Sequence, residues 1–240
     1  MPNQLILMLQ FLLQKYSVYR TTKILFFLSL LFFILGFLYI INSYLLGDIE
    51  SLKFLSHFNL NVELNAPAFF SSFILFYSAV LLGIITFLKR RDCYYYEWAG
   101  LSLTFVYLAL DEAFSYHEEM KYARKILALD QDNPLYKDAW IFIGIAFITV
   151  FLLVYLQFLK RLNKRVRSLF LLSAGIYILG AIGLEIIGGY WEFFRGEKDF
   201  IHAFLASLEE LLEMFGIILF INTLLGIISD LTPNKKTVSR

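Results

Sequence analysis

The sequence predicts an all-α fold: a polytopic membrane bundle of six transmembrane helices with both termini on the cytoplasmic side. Three observations predict it. The first is composition: the 240 residues are 59% hydrophobic and only 17% charged, with a mean hydropathy of +0.67. Soluble domains run at roughly 45–50% apolar and about 25% charged. The second is six segments of the length that a helix needs to cross a hydrocarbon core ~30 Å thick, about 20 residues. The third is the placement of the basic residues, which gather on one side of those segments.

The elements follow in chain order. Residues 1–23, MPNQLILMLQFLLQKYSVYRTTK, lack the basic start and small-residue cleavage site of a signal peptide. They read as a cytoplasmic segment with an interfacial helix at 4–14. Spans are predicted at about 24–46, 67–88, 95–117, 139–160, 168–190 and 203–228. The first, second and fourth are nearly free of charge, and the third, fifth and sixth are not. Lys15, Arg20 and Lys23, then Lys89, Arg90 and Arg91, precede or follow span ends on one side. Lys160, Arg161, Lys164, Arg165 and Arg167, then Lys235, Lys236 and Arg240, fall on that same side, fourteen of the 21 Lys and Arg. The opposite, outer side carries 48–66, 118–138 and 191–202. Its middle loop, KYARKILALDQDNPLYKDAW, is expected to hold a short surface helix before the Asn133-Pro134 turn. The chain thus reads as a single integral membrane domain over 1–240, without internal repeat.

Several classes are excluded. One cysteine, Cys93, leaves no intramolecular disulfide framework and no multi-cysteine zinc motif, and it reads as a small apolar filler. Nothing resembles a basic nucleic-acid surface, so the expected partner is the lipid bilayer. The 26 Phe, 15 Tyr and 3 Trp read as lipid-facing surface and interface belt, with Trp98, Trp140 and Trp191 in the belt. His57, in SLKFLSHFNLN, reads as a loop histidine.

The carboxylates carry the functional expectation. From Trp98 to Leu110 the helix rises about 20 Å, too little to cross the core, so Asp111 and Glu112 are expected within the outer leaflet. Counting back from Ile228 to Met214 gives about 22 Å, which places Glu213 inside the membrane and Glu209 and Glu210 about one turn further out. Glu185 ends an apolar run that starts at Ser168. An ionisable group at mid-span costs ~2.5–3.5 kcal/mol or more, so such groups normally face the bundle or a wet cavity. Asp111, Ser115 and Glu118 are spaced four and three apart, one helical face. Glu185, Gly189 and Glu192 repeat that spacing, and His202, Glu209 and Glu213 share a face of the sixth span. Glu210 points about a quarter-turn away. Three helices are therefore expected to build one acidic, histidine-containing cavity open to the outer side. Gly188-Gly189 leaves room for close packing or a ligand beside Glu185.

Carboxylates with imidazoles are the ligand set of iron, manganese and zinc. The spacing lacks the Glu-x-x-His of di-metal helix bundles, and there is no His-Glu-x-x-His motif. The leading expectation is a metal-dependent membrane enzyme acting on a lipid or other hydrophobic substrate. Asp111, Glu185 and Glu213 are its expected catalytic groups. Asp111, His117, Glu118, Glu185, His202, Glu209 and Glu213 are the expected ligands of a divalent metal, with Ser115 and Glu192 at the cavity mouth. The alternatives are a proton- or cation-coupled transporter and a structural or assembly protein whose polar groups join helices.

Two runs, LDEAFSYHEE (110–119) and LEELLEMFG (208–216), resemble signatures of an uncharacterised group of bacterial multi-pass membrane proteins. The resemblance implies the bacterial inner membrane and brings no activity with it. Ceramidase-like membrane hydrolases share outer-side histidines with a nearby aspartate and serine, but this chain lacks their paired histidines on one helix.

Overall fold

A computed structural model describes residues 18–46, 53–62, 64–116, 140–196 and 199–232. The helices expected at 4–14 and before Asn133-Pro134 lie outside these residues. Helix α1, Val18–Ile40, runs on through a π turn, Ile41–Leu46, to a 3-10 turn at Lys53–Phe58. Helix α2, Ala66–Leu88, starts where the Asn65 side chain accepts from the Ala68 amide, with Pro67 in the first turn. That is the usual start signal, an Asx cap followed by a residue whose missing N–H costs nothing there. Helix α3 is Tyr95–Phe114 and α4 is Trp140–Arg161. Asn163 caps α5, Lys164–Ile178, through the Val166 amide. A π turn, Leu179–Leu184, joins α5 to α6, Glu185–Arg195. Asp199 caps the last helix, α7, Phe200–Leu231. The described residues are helical almost throughout and contain no strand.

Among the described residues, five helical runs are long and apolar enough to cross a membrane: Val18–Leu46, Ala66–Leu88, Ile141–Arg161, Lys164–Arg195 and Phe200–Leu231. They mark a membrane protein. Helix α3, the third of the six expected spans, is not among them, because its 20 residues include Glu97, Asp111 and Glu112. It nevertheless lies antiparallel along α2. Ser72 Oγ donates to the Ala109 carbonyl at 2.8 Å, and Ser102 Oγ donates to the Ala79 carbonyl at 2.9 Å.

Helix α7 is the axis of the bundle. It packs against α1, α2, α5 and the π turn before α6, and it is the most buried of the five runs, α4 the least. Its Met214, Ile221, Leu224 and Ile228 interlock with Ile74, Leu82 and Ile85 of α2, all fully buried. Between helices in lipid, close packing rather than apolar burial supplies the attraction. Three buried hydroxyls at these contacts are satisfied by bonding back one turn: Ser78 to Ile74, Ser207 to Ala203, Thr223 to Leu219.

Two expectations are corrected. Trp98 does not sit in an interface belt: it is 1% exposed, edge-on to Phe158 at 4.9 Å and to Phe170 at 6.2 Å. Cys93 is no filler, because it is exposed in the turn between α2 and α3.

Candidate functional site

A cavity of about 790 Å³ lies between α3, α4, α5, α6 and α7. Along α7 its lining recurs at His202, Ala206, Glu209, Glu213, Gly216 and Phe220, the three- and four-residue spacing of one helical face. From His202 to Phe220 that face extends about 27 Å. The wall opposite follows Phe170, Ser173, Tyr177, Ala181, Glu185 and Glu192. An unbroken α-helix would leave Glu185 about 120° away from Ser173. The π turn at Leu179–Leu184 absorbs one residue in a wider loop and reduces the offset to about 20°. The π turn is therefore what keeps Glu185 on the face that carries Tyr177.

Two glycines let α7 approach that wall. A Cβ on Gly216 would stand 2.8 Å from the Tyr177 amide nitrogen and 2.9 Å from the Ser173 carbonyl oxygen. A Cβ on Gly180 would stand 2.8 Å from the Glu209 carbonyl oxygen. Only glycine fits at either contact without the backbones moving apart. Gly188, expected to permit the close approach, is less critical, for its nearest such contact is His202 Nδ1 at 3.9 Å.

The close approach assembles a carboxyl network. Glu209 hydrogen-bonds Glu185 across the α6–α7 contact and neighbours Glu210 and Glu213. The Tyr177 hydroxyl, on a half-buried side chain, donates to Glu213 and lies near Glu112 and Glu210. Two carboxyl groups placed in this way hydrogen-bond one another only when one of them carries a proton.

The mouth is fixed by the α6–α7 turn. Gly196, at φ 88°, ends α6, and its amide bonds back to the Glu192 carbonyl at 2.7 Å. Asp199 Oδ1 then accepts from the Trp191 indole at 2.7 Å, from the Ile201 amide at 2.9 Å and from the His202 amide at 3.4 Å. The Trp191 indole foremost, and then the Ile201 and His202 amides, hold the Asp199 carboxyl below the usual aspartate range. This clamp sets His202 Nε2 3.7 Å from Glu192 Oε2.

Of the residues singled out from sequence, Asp111, Glu185, Glu192, His202, Glu209 and Glu213 all line this one cavity. Ser115 does not line it: α3 stops at Phe114, and Ser115 turns into the left-handed region at φ 53°. The expected helical register from Asp111 to Glu118 is broken there. His117 and Glu118 lie outside the described residues. Among the described residues, no three His, Cys, Asp or Glu side chains converge closely enough to hold a metal ion. Glu112, Glu210 and Tyr177 also line the cavity. Tyr177 was hidden in an apolar run, its one signal being the repeat of four from Ser173 through Tyr177 and Ala181 to Glu185. The far end of the cavity is aromatic: Phe220 stacks on Phe105 and meets Phe170 edge-on, both at 4.8 Å.

Comparison with curated proteins and with solved structures gives no match. A family model matches residues 24–227, a stretch that includes every described cavity residue, and the chain belongs to that family, described as a domain of unknown function (DUF8692).

Proposed function

We propose that the protein is a six-span membrane enzyme, both termini cytoplasmic, that acts on the polar end of a lipid or similar amphiphile. The observation that supports this reading is the two-part cavity. Its carboxyl end holds Asp111, Glu185, Glu209 and Glu213, and its other end holds Phe105, Phe158, Phe170 and Phe220. An amphiphile is the ligand class with both properties. Antiparallel pairing of α3 with the long apolar α2 supports α3 as a span, the third of six, with its carboxyls turned to the cavity rather than to lipid. The basic residues put the carboxyl end in the outer leaflet.

Glu185 and Glu209, within hydrogen-bonding reach of one another, are suited to general acid and base work on a hydrolytic or proton-transfer step. Glu213 is oriented by Tyr177, and Asp111 faces them from α3. A divalent iron, manganese or zinc ion would take ligands from Asp111, Glu185, His202, Glu209 and Glu213. Since no three of these converge, a metal-dependent form needs further ligands, with His117 and Glu118 the residues of the right type.

The test is turnover of a lipid panel by protein in nanodiscs, with products read by mass spectrometry. Elemental analysis of the same preparations runs alongside. Wild type should convert one amphiphile class, and Glu185→Gln and Glu213→Gln should lose at least tenfold. Folded variants that match wild type throughout would leave the carboxyls as helix glue and end the enzyme reading. Metal-free protein that still turns over would end the metal part alone.

A second reading, proton- or cation-coupled transport, draws support from the length of the cavity, about 27 Å along α7, close to a ~30 Å hydrocarbon core. Liposome proton flux that disappears in Glu185→Gln would favour it over catalysis.

A further inference from the structure

Helices α4 and α5 are joined by only two residues, Leu162 and Asn163. Helices joined so tightly ordinarily pack as an antiparallel hairpin. These do not: among the described residues α4 makes no extended backbone approach to α5 or to any other helix. It is held at its inner end instead. Phe158, 2% exposed, is ringed by Trp98 at 4.9 Å and by Tyr94 and Tyr155 at 5.9 Å. The Tyr155 hydroxyl donates to the Glu97 carbonyl at 3.1 Å. Beyond that end α4 diverges from α5; its Phe147, Val150, Leu153 and Val154 are more than half exposed, and Ile141 at its start is buried. The cavity occupies this V, lined on one arm by Phe147, Phe151 and Phe158 and on the other by Phe170, Ala174 and Ile178.

A V with apolar arms beside helices fit to span a bilayer opens onto hydrocarbon. Water has no partners along those arms, and a void forfeits their dispersion contacts. A hydrocarbon chain satisfies both arms. The polarity of the cavity fits a lipid of the outer leaflet in its resident orientation, headgroup outward at Glu185 and Glu209 and chain descending to Phe158 and Phe170. From Glu209 to Phe220 the descent is about 16 Å, the depth of one leaflet of a ~30 Å core.

We infer that the α4–α5 V is the seat of one hydrocarbon chain of an outer-leaflet lipid, admitted sideways from the bilayer. Placing the headgroup at the carboxyls rests on the function proposed above. The chain seat rests on the V alone. Trp98 reports on it, because it touches Phe158 and Phe170 at the bottom of the V yet is itself 1% exposed. The protein with Trp140→Phe and Trp191→Phe leaves Trp98 as the sole indole. It is reconstituted in phosphatidylcholine brominated near the chain end, and its fluorescence is compared with that in unbrominated lipid.

The expected result is strong quenching of Trp98. It should be lost when the V is filled from α5 by Ala174→Phe or, from the other side, by Thr104→Phe on α3. Two plugs on different helices guard against one that fails to fold, and melting in detergent identifies such a failure. Unquenched Trp98 before plugging overturns the inference, whether the V is shut or covered by a second copy. Quenching that both folded plugs leave unchanged also overturns it, since bromine then reaches Trp98 from outside the V. Quenching without turnover of any lipid would sustain the chain seat while the enzyme reading fails.

Discussion

The contact at Gly216 decides whether the carboxyl network can form, and Gly216→Ala tests it. A methyl there would meet Tyr177 N at 2.8 Å and Ser173 O and Tyr177 Cβ at 2.9 Å. Ordinary contact begins at about 3.5 Å, so α5 and α7 must part by some 0.6 Å. Two of the three atoms are backbone, which leaves no rotamer to yield. Overpacking of this kind costs ~1–3 kcal/mol. Alanine also gains up to ~1 kcal/mol over glycine within a helix, which partly hides the clash. Gly226→Ala removes that ambiguity, because the same helix gains the same methyl with nothing within 4 Å. The two variants should therefore differ by ~1–3 kcal/mol, or several degrees in apparent melting temperature at ~2–4 °C per kcal/mol. The assay is fluorescence-detected melting in one detergent, Gly216→Ala the lower. On the function proposed above, turnover should fall with it, since the Tyr177–Glu213 pair lies one turn away. Equal melting of the two variants would refute the claim that glycine is required at this crossing.

Three further outcomes are expected. Cys93, the one cysteine and exposed between α2 and α3, should react with a membrane-impermeant maleimide only after the cytoplasmic face is opened, and labelling of intact cells would invert the proposed topology. Asp199 is held below the usual aspartate range by Trp191 and two amides, so its stabilising contribution is full above the ordinary aspartate pKa of ~3.9 and is lost as pH falls through its lower folded value. The acid limb of a melting-versus-pH curve should flatten in Asp199→Asn, and an unchanged limb would show that this clamp does not titrate with folding. Tyr177→Phe removes the donor to Glu213, and a double-mutant cycle with Glu213→Gln should give a coupling of ~0.6–1.7 kcal/mol, the range for hydrogen bonds between membrane helices, with near-zero coupling counting against the pair.

Most of the bundle was legible because an apolar run of about 20 residues has few other fates. The ends were less so: Lys164–Arg195 and Phe200–Leu231 extend several residues beyond the expected 168–190 and 203–228, because polar terminal turns carry no hydropathy signal. The spacing of His202, Glu209 and Glu213 survived, since α7 is unbroken. The spacing of Asp111 and Ser115 did not, because α3 ends at Phe114 and Ser115 is left-handed, which hydrophobic periodicity cannot register; Glu118 lies outside the described residues. The π turn was equally silent in sequence. Trp98 and Tyr177 were misread for one reason: composition says that aromatics suit lipid, and only the tertiary contacts show which of them turn inward.

The same contacts bear on whether these carboxyls merely join helices. Helix α7 carries two stripes. Ala203, Ser207, Leu211, Met214, Ile218 and Ile221 are buried in the bundle, and His202, Glu209, Glu213 and Phe220 face the cavity. A gluing role would be served best if each carboxyl met a donor on a neighbouring helix and the gap closed, since every void between helices forfeits dispersion contacts. Glu213 does meet such a donor, Tyr177 on α5, but at Glu209 the reverse holds. Glu209 meets another carboxyl rather than a base, two glycines draw the backbones together to make that meeting possible, and about 790 Å³ stays open beside it. Like groups brought together beside a cavity are a poor way to join helices, and on the function proposed above they are a good way to present a proton to a ligand there.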